Sequence, residues 1–426
     1  MMAEIKARFP IVLVGFLLLT IVISACAPPI TEASAMDPVD AQKEERTTSI
    51  DEPKKAPESD KPEENDKKVE SEGDEAVGKS EQEAEDASSE LGDNADLDGS
   101  GGSEDDGVLN PLTGLPVENT EWLYKRPIMV AISNFPPSAI PHSGESFAAH
   151  VFELFQGYGM TRNLAIFFGD YADQIGEILE NRLADGTVPD QVIGPIRSGR
   201  VVFEDVKKLY PHALLITAGA SSGVKAQLSN RVSVYGSNPD DINSTGVGAD
   251  QLGSLADYEV NPEEFVALEF DASPPGNGEP APFFRMIYNL YNQIGWEYSP
   301  EAGAYLRSHD KADGTGELFP ETDRLTGAQL AFENVIVLWA QHRYVTPTVV
   351  EMNLVYVTDQ KGILFRNGVM VPIKWSSRSG VFKIHDAEGN PIPLKPGKSF
   401  FEVVSYETTW DPDKMIVRFH EPPKGN

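Results

Sequence analysis

The chain has 426 residues and a formal net charge of −32 at pH 7. It is too long for one average domain, so more than one part is expected. Nucleic acid is excluded as an expected partner, because phosphate backbones are bound mainly through Lys and Arg side chains and this chain is strongly acidic.

The amino-terminal residues have the pattern of a secretory signal. Lys6 and Arg8 precede an apolar run over residues 9–23, and small residues follow it. The run of about 15 residues is short for a membrane span, which needs about 20. Cys26, the chain's single cysteine, stands directly after those small residues. This arrangement resembles the bacterial lipobox, whose cysteine receives a lipid and becomes the new first residue.

The lipobox resemblance implies a signal peptide over residues 1–25 and membrane lipid as the partner of Cys26. A diacyl anchor holds a protein firmly, because each buried CH₂ contributes about 0.8 kcal/mol. We therefore expect a mature protein held by lipid on the extracytoplasmic face of the cell membrane. The alternative is an uncleaved signal anchor with an incidental cysteine.

Residues 26–107 have the composition of a disordered, acidic tether. From residue 27 onward they contain 27 acidic and 8 basic side chains, a net charge of −19, and no aromatic residue. Such a segment cannot bury enough apolar surface to offset the entropy of ordering, and its charge favours an extended spacer. A specific interaction of the acidic segment is the alternative.

The remaining chain predicts an α+β fold, a layered sandwich of sheets and helices. A mixed α/β first lobe is expected over residues 108–282 and a mostly antiparallel β second lobe over residues 283–426. Residues 271–278 (DASPPGNG) are rich in Pro and Gly and mark the boundary. In the second lobe, Asn367-Gly368 between two apolar runs is a strong hairpin signal.

The first lobe opens with an apolar run at 128–133, typical of a buried strand. Residues 151–155 and 160–168 are dense in aromatic and β-branched side chains, with Gly157-Tyr158-Gly159 between them. This pattern favours a strand, a turn and a strand. A helix through residues 147–155 fits the apolar spacing as well and is the competing prediction.

Residues 193–200 (IGPIRSGR) are the strongest local motif in the first lobe. Ser198 is a candidate helix N-cap, because apolar residues then recur with helical spacing until Pro211. Arg197 and Arg200 flank this predicted helix start, where free N–H groups and guanidinium groups both favour an anion. The motif therefore predicts an anion-binding or acidic-peptide-binding site. In the alternative, the arginines pair with internal carboxylates and hold the loop.

Glu153 lies among apolar residues and needs a partner if it is buried. Thr161 and Arg162 follow the predicted turn, so Arg162 and the motif arginines are candidate partners. One interpretation is a polar cluster that lines a cleft; the other is an ion pair that fixes the hairpin. The predicted binding residues are Glu153, Thr161, Arg162, Arg197, Ser198 and Arg200.

No spacing that typifies catalysis or metal binding was found. The seven histidines form no HExxH, no CxxC pair exists, and GxSxG is absent, so neither a metal nor a cofactor is predicted. A non-catalytic binding or scaffold protein is therefore the first hypothesis, with an envelope protein, a peptide or a wall polymer as partner. A wall-directed hydrolase that uses the Glu/Arg cluster is the alternative.

Several motifs together resemble the YerB-like lipoproteins of bacteria. They lie at residues 111–116, 126–127, 159–167, 193–200, 334–337 and 395–398. The resemblance implies a lipobox, a low-complexity spacer and two adjoining domains of unknown function, with an α+β fold and no established reaction. The chain departs from the family pattern in two places: it has no clear Pro-His-Asn segment, and it has no clean match to the family's His near an Asp-Gly in the second lobe, where it offers His309 before Asp310 and Asp313-Gly314.

Overall fold

The computed structural model describes residues 107–185, 190–265, 268–346, 349–378 and 381–424. The predicted signal peptide, Cys26 and the predicted tether up to residue 106 lie outside these residues. Within the described ranges, no helix combines the length and the hydropathy needed to cross a bilayer.

Helices are few and mostly short in the described chain. The α-helices are α1 (Tyr171–Asp185), α2 (Val202–Lys207), α3 (Ser222–Lys225) and α4 (Leu252–Ala256). Short 3-10 helices occupy Thr120–Tyr124, Pro137–Ala139, Glu145–Phe147, Ile242–Ser244, Ala249–Gln251 and Pro262–Phe265. The apolar positions of α1 recur at i and i+4, and Ile175 and Leu179 are buried.

The first three amino-terminal strands follow the predicted pattern, whereas the fifth was not predicted. They are β1 (Ile128–Ser133), β2 (His150–Gly157), β3 (Met160–Phe167), β4 (Leu214–Thr217) and β5 (Arg231–Ser233). The hairpin is confirmed, because β2 and β3 pair antiparallel, and the competing helix over the same residues is wrong. The predicted buried strand at 128–133 is also confirmed, since every residue of β1 is buried.

The later strands fill the rest of the described chain. They are β6 (Glu279–Pro280), β7 (Phe283–Asn289), β8 (Asn292–Ser299), β9 (Ala304–Asp310), β10 (Leu318–Pro320), β11 (Ala331–Phe332), β12 (Asn334–Thr346), β13 (Val349–Asn353), β14 (Gln360–Arg366), β15 (Val369–Ser376), β16 (Lys383–His385), β17 (Ser399–Ser405), β18 (Thr409–Asp411) and β19 (Ile416–Arg418). The Asn367-Gly368 hairpin is confirmed, with both turn residues at positive φ.

A 12-stranded sheet runs through both predicted lobes. Its order is β16-β15-β14-β12-β17-β2-β3-β1-β4-β5, with β13 beside β12 and β6 beside β15. The late strand β17 lies between β12 and β2 and pairs in parallel with both. The strands of the second lobe pair mostly antiparallel, as expected, with β12–β17 and β7–β19 as parallel exceptions. They do not form a sheet of their own, however, because the large sheet is continuous across residue 282.

A second, 7-stranded sheet has the order β10-β9-β8-β7-β19-β18, with β11 beside β9. It packs against one face of the large sheet through aromatic contacts. Phe284 stacks on Phe365 at 3.9 Å between ring centroids, and Trp296 meets Phe400 at 4.9 Å. The described part of the chain thus contains a sandwich of two sheets, and the side chains of their facing surfaces pack against each other.

The other face of the large sheet packs against helical and loop segments. Phe152 stacks on Phe401 at 4.4 Å, and Tyr210, which follows α2, meets the edge of Phe152. His150 lies beside them and contacts the Tyr210 hydroxyl at 2.7 Å. Because successive residues of a strand point to opposite faces, Glu153 points away from this layer and into the space between the sheets.

Candidate functional site

The predicted motif, residues 193–200, lies against the carboxyl ends of β1 and β4. Arg197 N–H donates to the carbonyl of Ala131 at 2.9 Å, and Gly199 N–H donates to Gly219 at 2.7 Å. These bonds hold the motif as an extended segment. Helix α2 begins only at Val202, its N-cap is Val201, and no side chain caps it. The prediction that Ser198 caps a helix is therefore wrong, because the backbone around Ser198 is bound to the sheet edge.

Arg197 faces a neighbouring loop instead of an open cleft. Its side chain is 7% exposed, and its Nη1 and Nη2 donate to the carbonyl of Ile242 and to Asn243 Oδ1, the latter at 2.8 Å. Burial lowers the pKa of Arg197 to about 10. The arginine therefore fixes the loop, as the alternative proposed, but through amide oxygens instead of carboxylates.

Ser198 is the point where the other two predicted arginines meet. Arg162 Nη1 donates to the Ser198 carbonyl, and Arg200 Nη1 donates to the Ser198 hydroxyl at 2.7 Å. All three side chains are half-buried. The helix that follows has six residues, too short to add a strong dipole, so the predicted anion site at a helix start is not assembled here.

Glu153 and Arg162 lie on opposite faces of the large sheet. Residue 153 pairs with Asn163 in the β2–β3 register, whereas Arg162 pairs with Leu154. The cluster of Glu153 with Arg162, Arg197 and Arg200 is therefore wrong. The partner of Glu153 is Arg307 of β9, whose Nη2 donates to Glu153 Oε2 at 2.8 Å. Thr161, the remaining predicted residue, donates its hydroxyl to Glu153 Oε1 at 2.6 Å.

The ion pair belongs to a larger set of buried charges, the buried charge network, defined as His142, Glu145, Glu153, Arg307, Glu321 and Glu402. Arg307 also donates from Nη1 to Glu321 Oε2, and its guanidinium lies 5.2 Å from the Phe400 ring centroid. Burial opposes its charge, but the surrounding carboxylates, Glu153 foremost, raise the pKa of Arg307. One guanidinium therefore bridges the two sheets.

Glu402 of β17 stands directly beside Glu153 in the large sheet. Tyr288 and Trp296 of the second sheet donate to its two oxygens, at 2.9 and 3.0 Å. Burial, and then the neighbouring Glu153, raise the pKa of Glu402 to about 8. Glu402 is therefore mostly protonated at neutral pH, which avoids placing two buried charges side by side.

The network is closed to large ligands. Glu153 and Glu402 are 0% exposed and Arg307 is 2% exposed. A wall polymer cannot reach Glu153, so the hydrolase alternative loses the carboxylate on which it depends. Glu153 was predicted from the sequence but Glu402 was not, although both acids follow a Phe within an apolar strand. Arg307 was not predicted either, because it lies 154 residues away from Glu153.

An open cleft lies elsewhere, at the amino ends of β1, β4 and β5. Its volume is about 480 Å³, and its charged and aromatic lining consists of Arg126, Glu204, Lys207, Lys208, Tyr210, His212 and Tyr258. A neighbouring cleft of about 410 Å³ shares His212 and Tyr258 with it. Residues 126–127 were noted from the sequence only as one motif of the family resemblance, and this surface was not predicted.

Arg126 lines this cleft and has N–H groups that bind no described residue. Its Nε donates to the carbonyl of Leu255 at 2.9 Å, and its guanidinium lies 5.6 Å from the centroid of Tyr258. Its two terminal nitrogens make no hydrogen bond to any described residue. Lys207 and Lys208 differ, because each already pairs with a carboxylate of α2. Burial lowers the pKa of Arg126, but the group stays charged at neutral pH.

Comparison with known proteins places the chain in a family. Residues 112–246 match the N-terminal domain of a protein of unknown function (DUF3048), and residues 284–401 match its C-terminal domain. The chain belongs to the YerB-like family of bacterial lipoproteins. Its two matched segments contribute strands to the same large sheet.

YerB of Bacillus subtilis resembles this chain in sequence and in fold. The protein named "Putative lipoprotein YerB" of Bacillus subtilis (strain 168) is 27% identical over 315 residues, which cover 69% of this chain and 85% of that protein. The crystal structure of the YerB protein from Bacillus subtilis superposes with a TM-score of 0.53 at 26% identity, and covers 70% of this chain and 96% of that one.

Proposed function

We propose that this chain is a lipid-anchored extracytoplasmic protein that binds an anionic ligand without catalysis, through the cleft beside Arg126. The ligand class is a carboxylate or phosphate group, carried by an envelope protein, an acidic peptide or a wall polymer. The observation that carries the proposal is the guanidinium of Arg126, which lines the cleft and whose terminal nitrogens make no hydrogen bond to any described residue.

The chemistry of the cleft supports an anion. A guanidinium offers two parallel donors that match a carboxylate or phosphate. Tyr258 holds Arg126 on one side and stacks with His212, whose ring centroid is 5.5 Å away. The carboxylate whose charge acts on Arg126 is Asp257, but Asp257 forms its ion pair with Lys125, at 2.8 Å, and Arg126 has no ion pair of its own among the described residues. Binding energy is expected to come from this charge-assisted contact and from the aromatic surface beside it.

The location of the protein is supported by the lipobox and by the name of its relative, a lipoprotein. A test is the Cys26→Ala variant of the full-length chain. We expect the wild-type chain to take up radiolabelled palmitate and to sediment with membranes, because two acyl chains give firm anchoring. The variant is expected to lose the label and to be found in the medium or as an uncut precursor. A wild-type chain that is unlabelled and recovered from the cytosol would contradict the anchor.

The cleft is tested with Arg126→Gln in the full-length chain. Fluorescence anisotropy with a labelled glutamate-rich peptide and co-sedimentation with purified sacculi measure binding. We expect an affinity about 10-fold to 100-fold weaker than that of the wild type, because a hydrogen bond to a charged group contributes about 1.5–3 kcal/mol. Raising the salt concentration is expected to weaken wild-type binding as well.

Arg418→Gln is the matched control, because it removes the same charge from an exposed position on β19. Its affinity should equal that of the wild type within about 2-fold, as expected for an exposed charge outside the interface. Equal losses in both variants would indicate a general charge effect and would refute the cleft as the binding site. Release of fragments from sacculi by the wild type would refute the non-catalytic part of the proposal.

A further inference from the structure

We infer that His142, Glu145 and Glu321 form a binding site for one divalent transition-metal ion, with Zn²⁺ as the first candidate. One ligand atom from each residue lies within 4.8 Å of the other two, and all three side chains are buried. The inference is independent of the proposed function, because these residues lie in the buried charge network and not in the cleft.

The hydrogen bonds of His142 fix which nitrogen faces the carboxylates. Nε2 lies 2.9 Å from the carbonyl of Ser133, and a carbonyl only accepts, so Nε2 carries a hydrogen. Nδ1 then points at two carboxylates, 2.5 Å from Glu145 Oε2 and 3.3 Å from Glu321 Oε1. This is the orientation that metal-binding histidines adopt, with one ring nitrogen bound to a carbonyl and the other directed at the ion.

The two carboxylates are oriented in the same manner. Asn163 Nδ2 donates to Glu145 Oε1 at 2.6 Å, and Arg307 donates to Glu321 Oε2. In each carboxylate, one oxygen is therefore held by a neighbour while the other points toward His142. Outer partners of this kind set the direction of metal ligands. Three side chains thus present one ligand atom each to the same point.

The second observation is an oxygen without a hydrogen-bond partner. Glu321 Oε1 is fully buried and accepts no hydrogen bond from any described residue. A proton on His142 Nδ1 is directed at Glu145 and cannot also serve Glu321. A buried carboxylate oxygen left without a donor is costly, whereas one cation between the three ligand atoms would contact both carboxylates.

The balance of acidic and basic groups around the triad also favours a bound cation. The buried charge network contains four carboxylic acid groups but only one guanidinium and one imidazole, so its acidic groups outnumber its basic groups two to one. A dication offsets that excess in a region from which water is excluded. Imidazole and carboxylate ligands suit zinc and related transition metals better than Ca²⁺, which prefers six or more oxygens.

Ligand spacing is compatible with zinc. Metal–ligand distances of about 2.0–2.2 Å in a tetrahedral site place neighbouring ligand atoms about 3.3 Å apart. His142 Nδ1 and Glu321 Oε1 are already 3.3 Å apart. The 2.5 Å contact between His142 and Glu145 would lengthen by somewhat less than 1 Å. The triad fills three of four positions, and a small ligand such as water would take the fourth.

The experiment uses the full-length chain, purified in detergent, stripped with EDTA and dialysed after loading with Zn²⁺. Elemental analysis is expected to find one zinc per chain, and zinc is expected to raise the midpoint of thermal unfolding by several degrees. Loading with Co²⁺ is expected to give a visible absorption band of a four-coordinate site. Less than about 0.1 equivalent of retained metal, with no change in unfolding, would overturn the inference.

Glu321→Gln and His142→Gln are expected to retain at least 10-fold less zinc after dialysis, because each removes a ligand. His309→Gln is the matched control, since it removes a half-buried histidine outside the triad and should retain zinc as the wild type does. Equal retention by all three variants would assign the metal to the acidic segment and refute the triad. If the triad variants fail to fold, the Co²⁺ spectrum of the wild type decides alone: a six-coordinate spectrum refutes the site.

Discussion

Replacing Arg307 with Met is expected to lower the free energy of unfolding by about 3–5 kcal/mol at pH 7. The reason is that Glu153 and Glu321 would be left ionised and unpaired between the two sheets. Met fills much of the volume of Arg, so the change in the free energy of unfolding reports mainly the loss of the guanidinium charge. Urea denaturation of the full-length chain, followed by tryptophan fluorescence, measures the effect.

The matched control is Arg343→Met, because Arg343 also pairs with a glutamate, Glu351, but at the surface, where its side chain is 70% exposed. Exposed pairs contribute about 0–1 kcal/mol, so this variant should unfold close to the wild type. A loss below about 1 kcal/mol for Arg307→Met would mean that the buried carboxylates take up protons or water at little cost, contrary to the account given above.

Replacing Glu402 with Gln is expected to flatten the dependence of stability on pH. The pKa of Glu402 is raised from the ordinary 4.5 to about 8 by burial and by Glu153. Between these values the folded chain holds a proton that the unfolded chain releases. The resulting stabilisation is complete below pH 4.5 and is lost as pH rises through 8, at a slope of up to about 1.4 kcal/mol per pH unit.

The measurement is urea denaturation of both chains from pH 5 to pH 8. The wild type should lose stability relative to Glu402→Gln as pH rises, because Gln resembles the protonated acid at every pH. Glu153→Gln is the contrasting control: it removes the charge that faces Arg307 and is expected to destabilise at neutral pH. Parallel pH profiles for the wild type and Glu402→Gln would show that Glu402 is ionised in the fold.

Local patterns in the sequence predict much of this fold. β1 and the β2–β3 hairpin follow from apolar runs and turn residues that lie within 20 residues of one another. Helix α1 was missed, although Tyr171, Ile175 and Leu179 are spaced as one helical face. Polar residues separate them, and the apolar face becomes evident only when the sheet that covers it is known. The prediction of Ser198 as a cap failed for a similar reason: residues 197 and 199 form backbone hydrogen bonds with Ala131 and Gly219, which the local sequence does not reveal.

The candidate sites were harder to predict, because their residues come from distant parts of the chain. Glu153 was recognised as an acid in need of a partner, yet its partner Arg307 lies on the second sheet. His142 and Glu145 are close in sequence, but Glu321 joins them only after the loop beyond β10 folds back. Arg126 has no unusual neighbours in sequence. Arg126 is accessible to a ligand because it lines a cleft, and that cleft is formed where three strands distant in sequence begin.

The position of β17 has a consequence for how such a chain matures. This strand pairs with β2 on one side and β12 on the other, although 241 residues separate the end of β2 from the start of β17. During synthesis from the amino end, β2 and β12 therefore each have one unpaired edge until β17 has been made. The large sheet therefore cannot close before β17 is available, and a fragment that lacks β17 would expose unpaired strand edges that favour aggregation.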